Sequence, residues 1–232
     1  MSKLFEALQE AKRETASTAS FDVSQSLSGG GTSTFNLERE MINLYRSLEV
    51  NFPSLTQKVI CFLGANEGDG TSTIVASLAR IVAGCTKLRV AVLDMDTRHP
   101  TQCSLLGVTP KMGWNETTSG KESVQNALHQ TSIERLSVVS GSLIESGVHQ
   151  VIDRSAMKAL LEGLFESVDL ILIDCAPNAQ SADGIALSGD ADGTVLIIQA
   201  EYTRWPEVQK IQHEVKGVGG RVIGAVLNKR RF

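Results

Sequence analysis

The segment GANEGDGTST, residues 64–73, decides the fold, because it joins an apolar run of strand length to an apolar stretch of helix length. The run before it covers residues 59–63, and the stretch after it covers residues 73–83. Glycines in such a turn let backbone N–H groups face inward, and the dipole of the following helix adds positive potential. The segment therefore predicts an anion site whose natural occupant is phosphate.

The loop departs from the standard phosphate-loop pattern, G-x-x-x-x-G-K-[ST], at two positions. Gly70 and Ser72 match the pattern, whereas Ala65 stands at the first glycine and Thr71 at the lysine. Taken alone, the loop leaves open a glycine-rich turn that binds no ligand. The rest of the chain has to decide between these two interpretations.

Apolar runs and amphipathic stretches alternate along the chain on both sides of this loop. We predict strands at residues 59–63, 89–93, 136–139, 170–173, 194–198 and 222–227. We predict helices at residues 73–83, 124–130, 155–165, 184–187 and 206–215. This alternation is typical of an α/β fold with a mostly parallel twisted sheet and helices on both faces. Ligands of such sheets bind at the carboxyl ends of the strands.

The first 35 residues have a different composition from the rest of the chain. Residues 1–14 place apolar side chains at helical spacing and predict an amphipathic helix, while residues 15–35 are rich in Ser, Thr and Gly and predict a flexible tether. Residues 36–232 then form the nucleotide-binding-like domain, which begins with a helix over residues 37–50. The first helix is open to three roles: packing on its own domain, attachment to a membrane surface, or docking to a partner.

Polar residues follow three of the predicted strands. Asp94 and Asp96 are spaced i, i+2 after one strand, as a pair that binds Mg²⁺ or orients water would be, although an ordinary surface turn is the alternative. Asp174 closes a fully apolar strand, as does a metal-linked carboxylate of P-loop NTPases. Asn228 ends the last strand, and its amide offers a donor and an acceptor to a base edge, or serves in a turn.

Composition excludes several other classes of protein. The net charge of −4 gives no general attraction to nucleic acid or anionic lipid. The four cysteines are widely spaced without CxxC pairs, which indicates buried free thiols. No apolar run approaches the roughly 18 residues of a membrane span, and the first residues show no n-region followed by an apolar h-region, so we expect a cytoplasmic protein.

The order of these motifs resembles the MinD/ParA-type group of P-loop proteins, and most closely the cytoplasmic domain of bacterial tyrosine kinases that regulate polysaccharide chain length and export. The opening residues 2–8 and residues 45–48 also look like this family. The matching segments are Gly68-x-Gly70-x-Ser72-Thr73, Leu93-Asp94-x-Asp96-x-Arg98-x-Pro100, Asp169-x-x-x-Ile173-Asp174-x-x-Pro177, Ala191-Asp192-Gly193 and Gly224-x-Val226-Leu227-Asn228.

The resemblance implies a role for each matching residue. Asp94 and Asp96 would be the catalytic residues that orient water or the accepting hydroxyl, and Asn228 would touch adenine. Mg²⁺ would be held by Ser72 and Asp94, and through water by Asp174. The residues implied to wrap the phosphates of ATP or ADP are Gly68, Asp69, Gly70, Thr71, Ser72 and Thr73.

Two cations of the family are missing from this chain. Thr71 stands where the family carries its loop lysine, and Asn66 stands where the ParA-like branch carries a signature lysine. Because a charge-assisted hydrogen bond contributes roughly 1.5–3 kcal/mol, we expect nucleotide binding weaker by about one to two orders of magnitude. Catalysis should suffer more, since phosphoryl transfer depends on cations. Arg98 is a candidate for partial compensation.

Two further departures concern substrate and assembly. The family's tyrosine kinases carry a C-terminal tyrosine cluster, whereas this chain has only Tyr45 and Tyr202, which argues against autophosphorylation of the usual kind. The E-x-x-R-x-x-R pattern of the family's ring-forming helix reads Asn43, Arg46 and Glu49 here. A closed ring of that kind is not expected, while a homo-oligomer stays open.

Three hypotheses follow. The first is a tyrosine-kinase-like regulatory component of bacterial exopolysaccharide or capsule biosynthesis and export, with weakened or lost catalysis. It would lie at the inner face of the membrane by docking to a membrane-embedded polysaccharide co-polymerase. The second is an active tyrosine kinase or ATPase in which another residue replaces the loop lysine. The third is a ParA/MinD-like positioning ATPase, which the absence of a basic DNA-binding face weakens.

Overall fold

The computed structural model describes residues 19–23, 32–119, 122–141, 153–178 and 181–229. The strands in these ranges are β1 (Ala19–Val23), β2 (Lys58–Gly64), β3 (Val90–Asp94), β4 (Leu128–Gln130), β5 (Leu136–Val139), β6 (Leu170–Asp174), β7 (Gly193–Gln199) and β8 (Val222–Asn228). The helices are α1 (Thr32–Asn51), α2 (Thr71–Cys85), α3 (Gln102–Leu106), α4 (Trp114–Thr118), α5 (Val124–Ala127), α6 (Arg154–Leu164), α7 (Asp183–Ser188) and α8 (Trp205–Gly217).

All eight strands form one sheet in the order β1-β8-β7-β2-β6-β3-β5-β4. Every neighbouring pair is parallel except β4 and β5, which are antiparallel. The six predicted strands are confirmed, as is the α/β class. Because β2, β3, β6 and β8 run in the same direction, the polar residues that follow them lie along one edge of the sheet.

The sheet is covered on both faces, which explains why its central strands are apolar throughout. In β2, Ile60 and Phe62 face a core built with α1 and α2, whereas Val59, Cys61 and Leu63 face a core built with α6, α7 and α8. This alternation is the period of two that a strand imposes on its side chains. The two cores fix β2, and with it the start of the phosphate loop, at the centre of the molecule.

The expectation of a flexible tether over residues 15–35 is wrong for part of that segment. Residues 19–23 form β1, which pairs in parallel with β8, with Val23 opposite Asn228. Residues 32–35 belong to α1, which therefore begins earlier than the predicted 37. The sequence Ser-Phe-Asp-Val has residues that favour strands, and β8 would otherwise present an unpaired edge. The low local hydrophobicity concealed this long-range pairing.

The helix predicted over residues 124–130 is also wrong in its second half. Helix α5 ends at Ala127, and β4 follows at once and pairs with β5. Both segments are short, so the apolar spacing could not separate one helical turn from a strand. The predicted helix over residues 1–14 lies outside the described residues. In the described part of the chain, no helix combines the length and apolarity that crossing a bilayer requires.

Candidate functional site

The phosphate-loop segment passes from β2 directly into α2. Gly70 is the residue before the helix, with a left-handed φ of 94°, and Ile74 N donates to Gly70 O at 3.1 Å as the first helical hydrogen bond. No side chain caps this helix end. The first-turn amides of Thr71, Ser72 and Thr73 therefore have no acceptor within the helix, which is the arrangement that binds anions.

Neither of the two positions that carry lysine in the resembling family brings a positive charge to the loop. The Thr71 hydroxyl packs against Gly64, where a Cβ atom would lie 2.6 Å from its Oγ1. Asn66 donates from its Nδ2 to Glu207 Oε2 of α8 at 3.1 Å. Both lysine positions are thus filled by neutral side chains, of which Thr71 packs against the backbone and Asn66 attaches the loop to α8.

Asp94 and Asp174 end adjacent strands and are paired in register between β3 and β6. Both carboxylates are buried, with 1% and 0% of the residue exposed. Burial raises the pKa of Asp94, and the neighbouring Asp174 charge raises it further. Burial also raises the pKa of Asp174, although hydrogen bonding from Gln102 and the nearby Ser72 hydroxyl opposes the shift. Two carboxylates buried side by side repel each other when both are ionised, and no positive charge in the described part of the chain compensates that repulsion.

Gln102 is a site residue that no pattern in the sequence singled out. It is fully buried at the start of α3, and its Nε2 donates to Asp174 Oδ2 at 2.7 Å and to Ser72 O at 3.0 Å. Its backbone N donates to Asp94 Oδ2 at 2.9 Å. Gln102 therefore joins the phosphate loop to both buried carboxylates. A single polar residue in a short helix carries no signal of such a role in one sequence.

Asp96 lies near the pair but has a different environment. Its Oδ1 accepts from the backbone N of Arg98 at 3.1 Å and of His99 at 3.0 Å, so this carboxylate stabilises the turn after β3. Its backbone N donates to Asp94 Oδ1 at 3.1 Å. The turn and the acidic pair are therefore one structure, and the two alternatives weighed for Asp96 are not exclusive.

Asp69 belongs to the loop, but its side chain turns into the protein. Its Oδ2 accepts from Asn66 N at 2.8 Å, and its Oδ1 accepts from Thr203 Oγ1 at 3.3 Å. Burial raises the pKa of Asp69, opposed by these hydrogen bonds and by the charge of Lys229. Asp69 thus fastens the loop to the segment between β7 and α8, and only its backbone is available to wrap a phosphate.

Asn228 also contacts the loop. Its Nδ2 donates to Asp69 O at 2.7 Å, and its Oδ1 accepts from Lys229 N at 2.9 Å. The Lys229 ammonium donates to Gly68 O. Both the nitrogen and the oxygen of the Asn228 side-chain amide are engaged within the protein, so the predicted contact of Asn228 with adenine stays a prediction.

Two other acidic residues in the matching segments lie at the opposite edge of the sheet. Asp192 accepts from Val59 N at 2.8 Å and from Lys58 Nζ at 2.9 Å. Asp169 accepts from the backbone and the guanidinium of Arg89. These residues hold the starts of strands together. Their place in the motif pattern reflects the fold rather than the chemistry.

The described residues fit a magnesium ion of the kind that accompanies a nucleotide. They contain no group of three or more His, Cys, Asp and Glu side chains that could hold a metal unaided. Mg²⁺ at a phosphate site needs only one or two carboxylates, since waters and phosphates complete its shell. Asp174 Oδ1 is a buried oxygen without a hydrogen-bond partner in the described structure. Asp174, Asp94 and Ser72 would hold such an ion.

Comparison with known proteins identifies relatives over most of the chain. No protein-family model matches it. The tyrosine-protein kinase CpsD of Streptococcus agalactiae is 25% identical over 191 residues, which cover 82% of each chain. The tyrosine-protein kinase YwqD of Bacillus subtilis is 26% identical over 192 residues, which cover 81% of each chain.

Solved structures share the fold at low sequence identity. The chimerical protein CapA2B2 has a TM-score of 0.76 at 20% identity and covers 97% of this chain and 99% of its own. The kinase domain of Escherichia coli tyrosine kinase ETK has a TM-score of 0.74 at 20% identity, with 84% of this chain and 77% of its own covered. The septum site-determining protein MinD of Pyrococcus horikoshii, complexed with Mg-ADP, has a TM-score of 0.58 at 18% identity, with 74% and 70% covered.

The curated relatives match about four fifths of this chain. The structural neighbours share its fold. The chain is thus a homologue of bacterial tyrosine-protein kinases, on the P-loop fold that it shares with MinD, which confirms the resemblance drawn from its motifs.

Proposed function

We propose that this chain is a regulatory component of bacterial exopolysaccharide or capsule biosynthesis and export. In this proposal it is a cytoplasmic, tyrosine-kinase-like P-loop protein that binds ATP or ADP with Mg²⁺ and transfers phosphate slowly or not at all. The observation that carries the proposal is the combination of a buried pair of carboxylates with a neutral loop. Ser72, Asp94 and Asp174 are brought together, while Thr71 packs on Gly64 in place of a lysine.

The charge balance at the site supports weak catalysis. A nucleotide triphosphate brings several negative charges to a place where two buried carboxylates already repel each other. Mg²⁺ would neutralise part of this charge, but a loop lysine normally shares the task. With Thr71 at that position, developing charge on the transferred phosphoryl group lacks one of its stabilising cations.

Isothermal titration with Mg-ATP and an assay of γ-phosphate release test this proposal together. We expect measurable binding, weaker by about one to two orders of magnitude than in a lysine-bearing relative, with little or no phosphate release. A turnover similar to that of the lysine-bearing relative would contradict the proposal of weakened catalysis. Failure to bind Mg-ATP or Mg-ADP at all would contradict the proposal of a nucleotide site.

One observation favours the second candidate, an active tyrosine kinase. Tyr202 is 62% exposed and lies next to Thr203, which contacts the phosphate loop through Asp69. Tyr45 is a poorer acceptor, since its hydroxyl donates to Glu49 at 2.7 Å and burial raises its pKa to about 12. Mass spectrometry after incubation with Mg-ATP decides this point. Phosphotyrosine at Tyr202 that disappears in Asp94→Asn would support an active kinase.

The proposed partner is a membrane-embedded polysaccharide co-polymerase, and residues 2–14 are the proposed docking segment. We expect deletion of residues 2–14 to abolish co-purification with the membrane partner and to leave the melting temperature unchanged. Retained co-purification would exclude this segment as the contact. A fall in melting temperature would show instead that the segment packs on its own domain.

A further inference from the structure

The carboxyl end of β8 is close to the phosphate loop because of the strand order. Strand β7 pairs with β2 on one side and with β8 on the other, so the loop after β2 and the residues after β8 are separated by one strand. Asn228 ends β8, and Lys229 follows it with a left-handed φ of 57°. A lysine adopts this backbone conformation at a cost, and the surrounding contacts have to hold it there.

Two consecutive residues hold two consecutive carbonyl groups of the loop. Asn228 Nδ2 donates to Asp69 O at 2.7 Å, and Lys229 Nζ donates to Gly68 O. The hydrogen bond from Lys229 N to Asn228 Oδ1 orients the amide so that its donor faces the loop. Ala200 N donates to Asn228 O at 2.8 Å and fixes the backbone at this point.

These contacts determine which way the loop peptides face. In a planar trans peptide the C=O of one residue and the N–H of the next point in opposite directions. Because Asp69 O faces Asn228, the N–H of Gly70 faces away from it. An anion-binding loop needs its N–H groups on the side of the ligand and its carbonyls on the other. Asn228 and Lys229 therefore lie on the carbonyl side of the loop.

Gly70 allows this close approach. A Cβ atom at this position would clash with Asn228 Nδ2, and it would approach Cε of Lys229 to 4.0 Å. The left-handed φ of 94° also favours glycine. Gly70 is thus required twice, once by its own backbone and once by the side chains packed on it.

Lys229 also brings positive charge to a loop that has none of its own. Its ammonium donates to Gly68 O within the loop, and its charge opposes the rise that burial causes in the pKa of Asp69. Arg98, the residue expected to compensate for the missing lysine, makes no side-chain hydrogen bond or ion pair with the loop in the described ranges. Lys229 does, through Gly68 O.

We propose that Asn228 and Lys229 form a clip on the carbonyl side of the phosphate loop. The clip holds the loop amides toward the diphosphate of a nucleotide. Its ammonium offsets part of the negative charge at the site, which a loop lysine would offset if Thr71 did not stand in its place. Asn228 and Lys229 are positioning residues that act through the loop backbone. This inference rests on the proposed nucleotide-binding function.

Three variants of the clip and one control test the inference. Lys229→Met keeps the stem and removes the donor, and Lys229→Arg keeps a cationic donor. Asn228→Asp keeps the acceptor for Lys229 N and replaces the donor by an oxygen that faces Asp69 O. Lys216→Met changes the same charge at the exposed far end of α8. Each is titrated with Mg-ADP, and its thermal unfolding is followed.

We expect Lys229→Met and Asn228→Asp to bind Mg-ADP at least about tenfold more weakly than the unchanged chain, as for the loss of a charge-assisted hydrogen bond. Lys229→Arg and Lys216→Met should stay within about threefold of the unchanged chain, and the lysine variants should melt at the same temperature. If the chain binds Mg-ADP and Lys229→Met binds it equally well, the clip is overturned while the nucleotide site stands.

The nucleotide-free protein provides an independent readout. We expect the amide resonances of residues 68–73 to move in both Lys229→Met and Asn228→Asp, and those of α8 to stay in place. If the chain binds no nucleotide, the proposed function fails. The resonances of residues 68–73 then test by themselves whether Asn228 and Lys229 orient the loop. Unchanged loop resonances in both variants would overturn it.

Discussion

Asp94 and Asp174 lie opposite each other in the β3–β6 ladder, both are buried, and Gln102 contacts both of them. Burial, with the neighbouring Asp174 charge, raises the pKa of Asp94 to about 8, and burial raises the pKa of Asp174 to about 6, from an ordinary value of 3.8. In this range the folded protein binds more protons than the unfolded chain. Its free energy of unfolding therefore falls as the pH rises from about 4 to about 8.

Replacing one carboxylate should remove much of this pH dependence. We expect Asp174→Asn, measured in EDTA, to gain about 1–2 kcal/mol of stability relative to the unchanged chain between pH 5 and pH 8. Urea unfolding at the two pH values measures the difference. Glu162→Gln, on the exposed surface of α6, changes the same charge and should show no such trend. A constant difference between Asp174→Asn and the unchanged chain would contradict the raised pKa values.

Restoring the loop lysine should strengthen nucleotide binding. We expect Thr71→Lys to bind Mg-ATP about 10–100 times more tightly, since it adds a charge-assisted hydrogen bond at the phosphates. It should also raise the rate of γ-phosphate release. Ser77→Lys, further along α2, adds the same charge away from the loop and serves as the control. Equal affinities in the two variants would show that charge alone, without position, determines binding.

Gly70, which precedes α2, and Gly84, near the end of α2, should respond oppositely to alanine. We expect Gly70→Ala to abolish measurable Mg-ADP binding and to lower stability by about 1–3 kcal/mol, since the new Cβ meets Asn228 and the φ is left-handed. At Gly84 a Cβ meets no atom within 4 Å, so Gly84→Ala should stabilise the helix by about 0.5–1 kcal/mol. Chemical unfolding of both variants checks this contrast.

The buried amide of Gln102 should contribute to stability, so replacing it with a side chain of similar size should lower the free energy of unfolding. Gln102→Met removes the donors to Asp174 and to Ser72 O, and we expect a loss of about 1–3 kcal/mol in urea unfolding at pH 7. Gln125→Met removes an exposed hydrogen bond to Glu166 and should cost less than about 0.5 kcal/mol. Equal effects would mean that Gln102 does not connect the loop to the acidic pair.

The four cysteines should label in an order set by exposure and pKa. Cys85 is exposed, whereas Cys61 and Cys175 are buried with their sulfur atoms 3.3 Å apart. Hydrogen bonding to Cys61 and burial raise the pKa of Cys175 well above its usual value. We expect a thiol reagent at pH 8 to label Cys85 rapidly, and Cys61 and Cys175 only after unfolding. Rapid labelling of all four would contradict the packing between β2 and β6.

The central strands could be predicted because burial on both faces makes them continuous apolar runs. Strands β1 and β4 could not, since each depends on a distant partner, β8 and β5, more than on its own composition. Edge strands make little use of apolar residues, so their sequence resembles that of a turn or a tether.

The candidate site likewise contains residues that the sequence could identify and residues that it could not. Asp94, Asp174 and the loop were identified because they directly follow apolar runs, and the structure brings them together. Gln102 and Lys229 were not identified, because each acts through a single long-range contact with the loop. One sequence holds no periodicity or spacing that reports such a contact.

The pairing of β1 with β8 has a mechanical consequence. Val23 lies opposite Asn228, so the last rung of this ladder ends at the residue that holds the phosphate loop. We expect tension applied to the chain before β1 to be carried through this ladder of backbone hydrogen bonds to Asn228, and from Asn228 to the phosphate loop at Asp69.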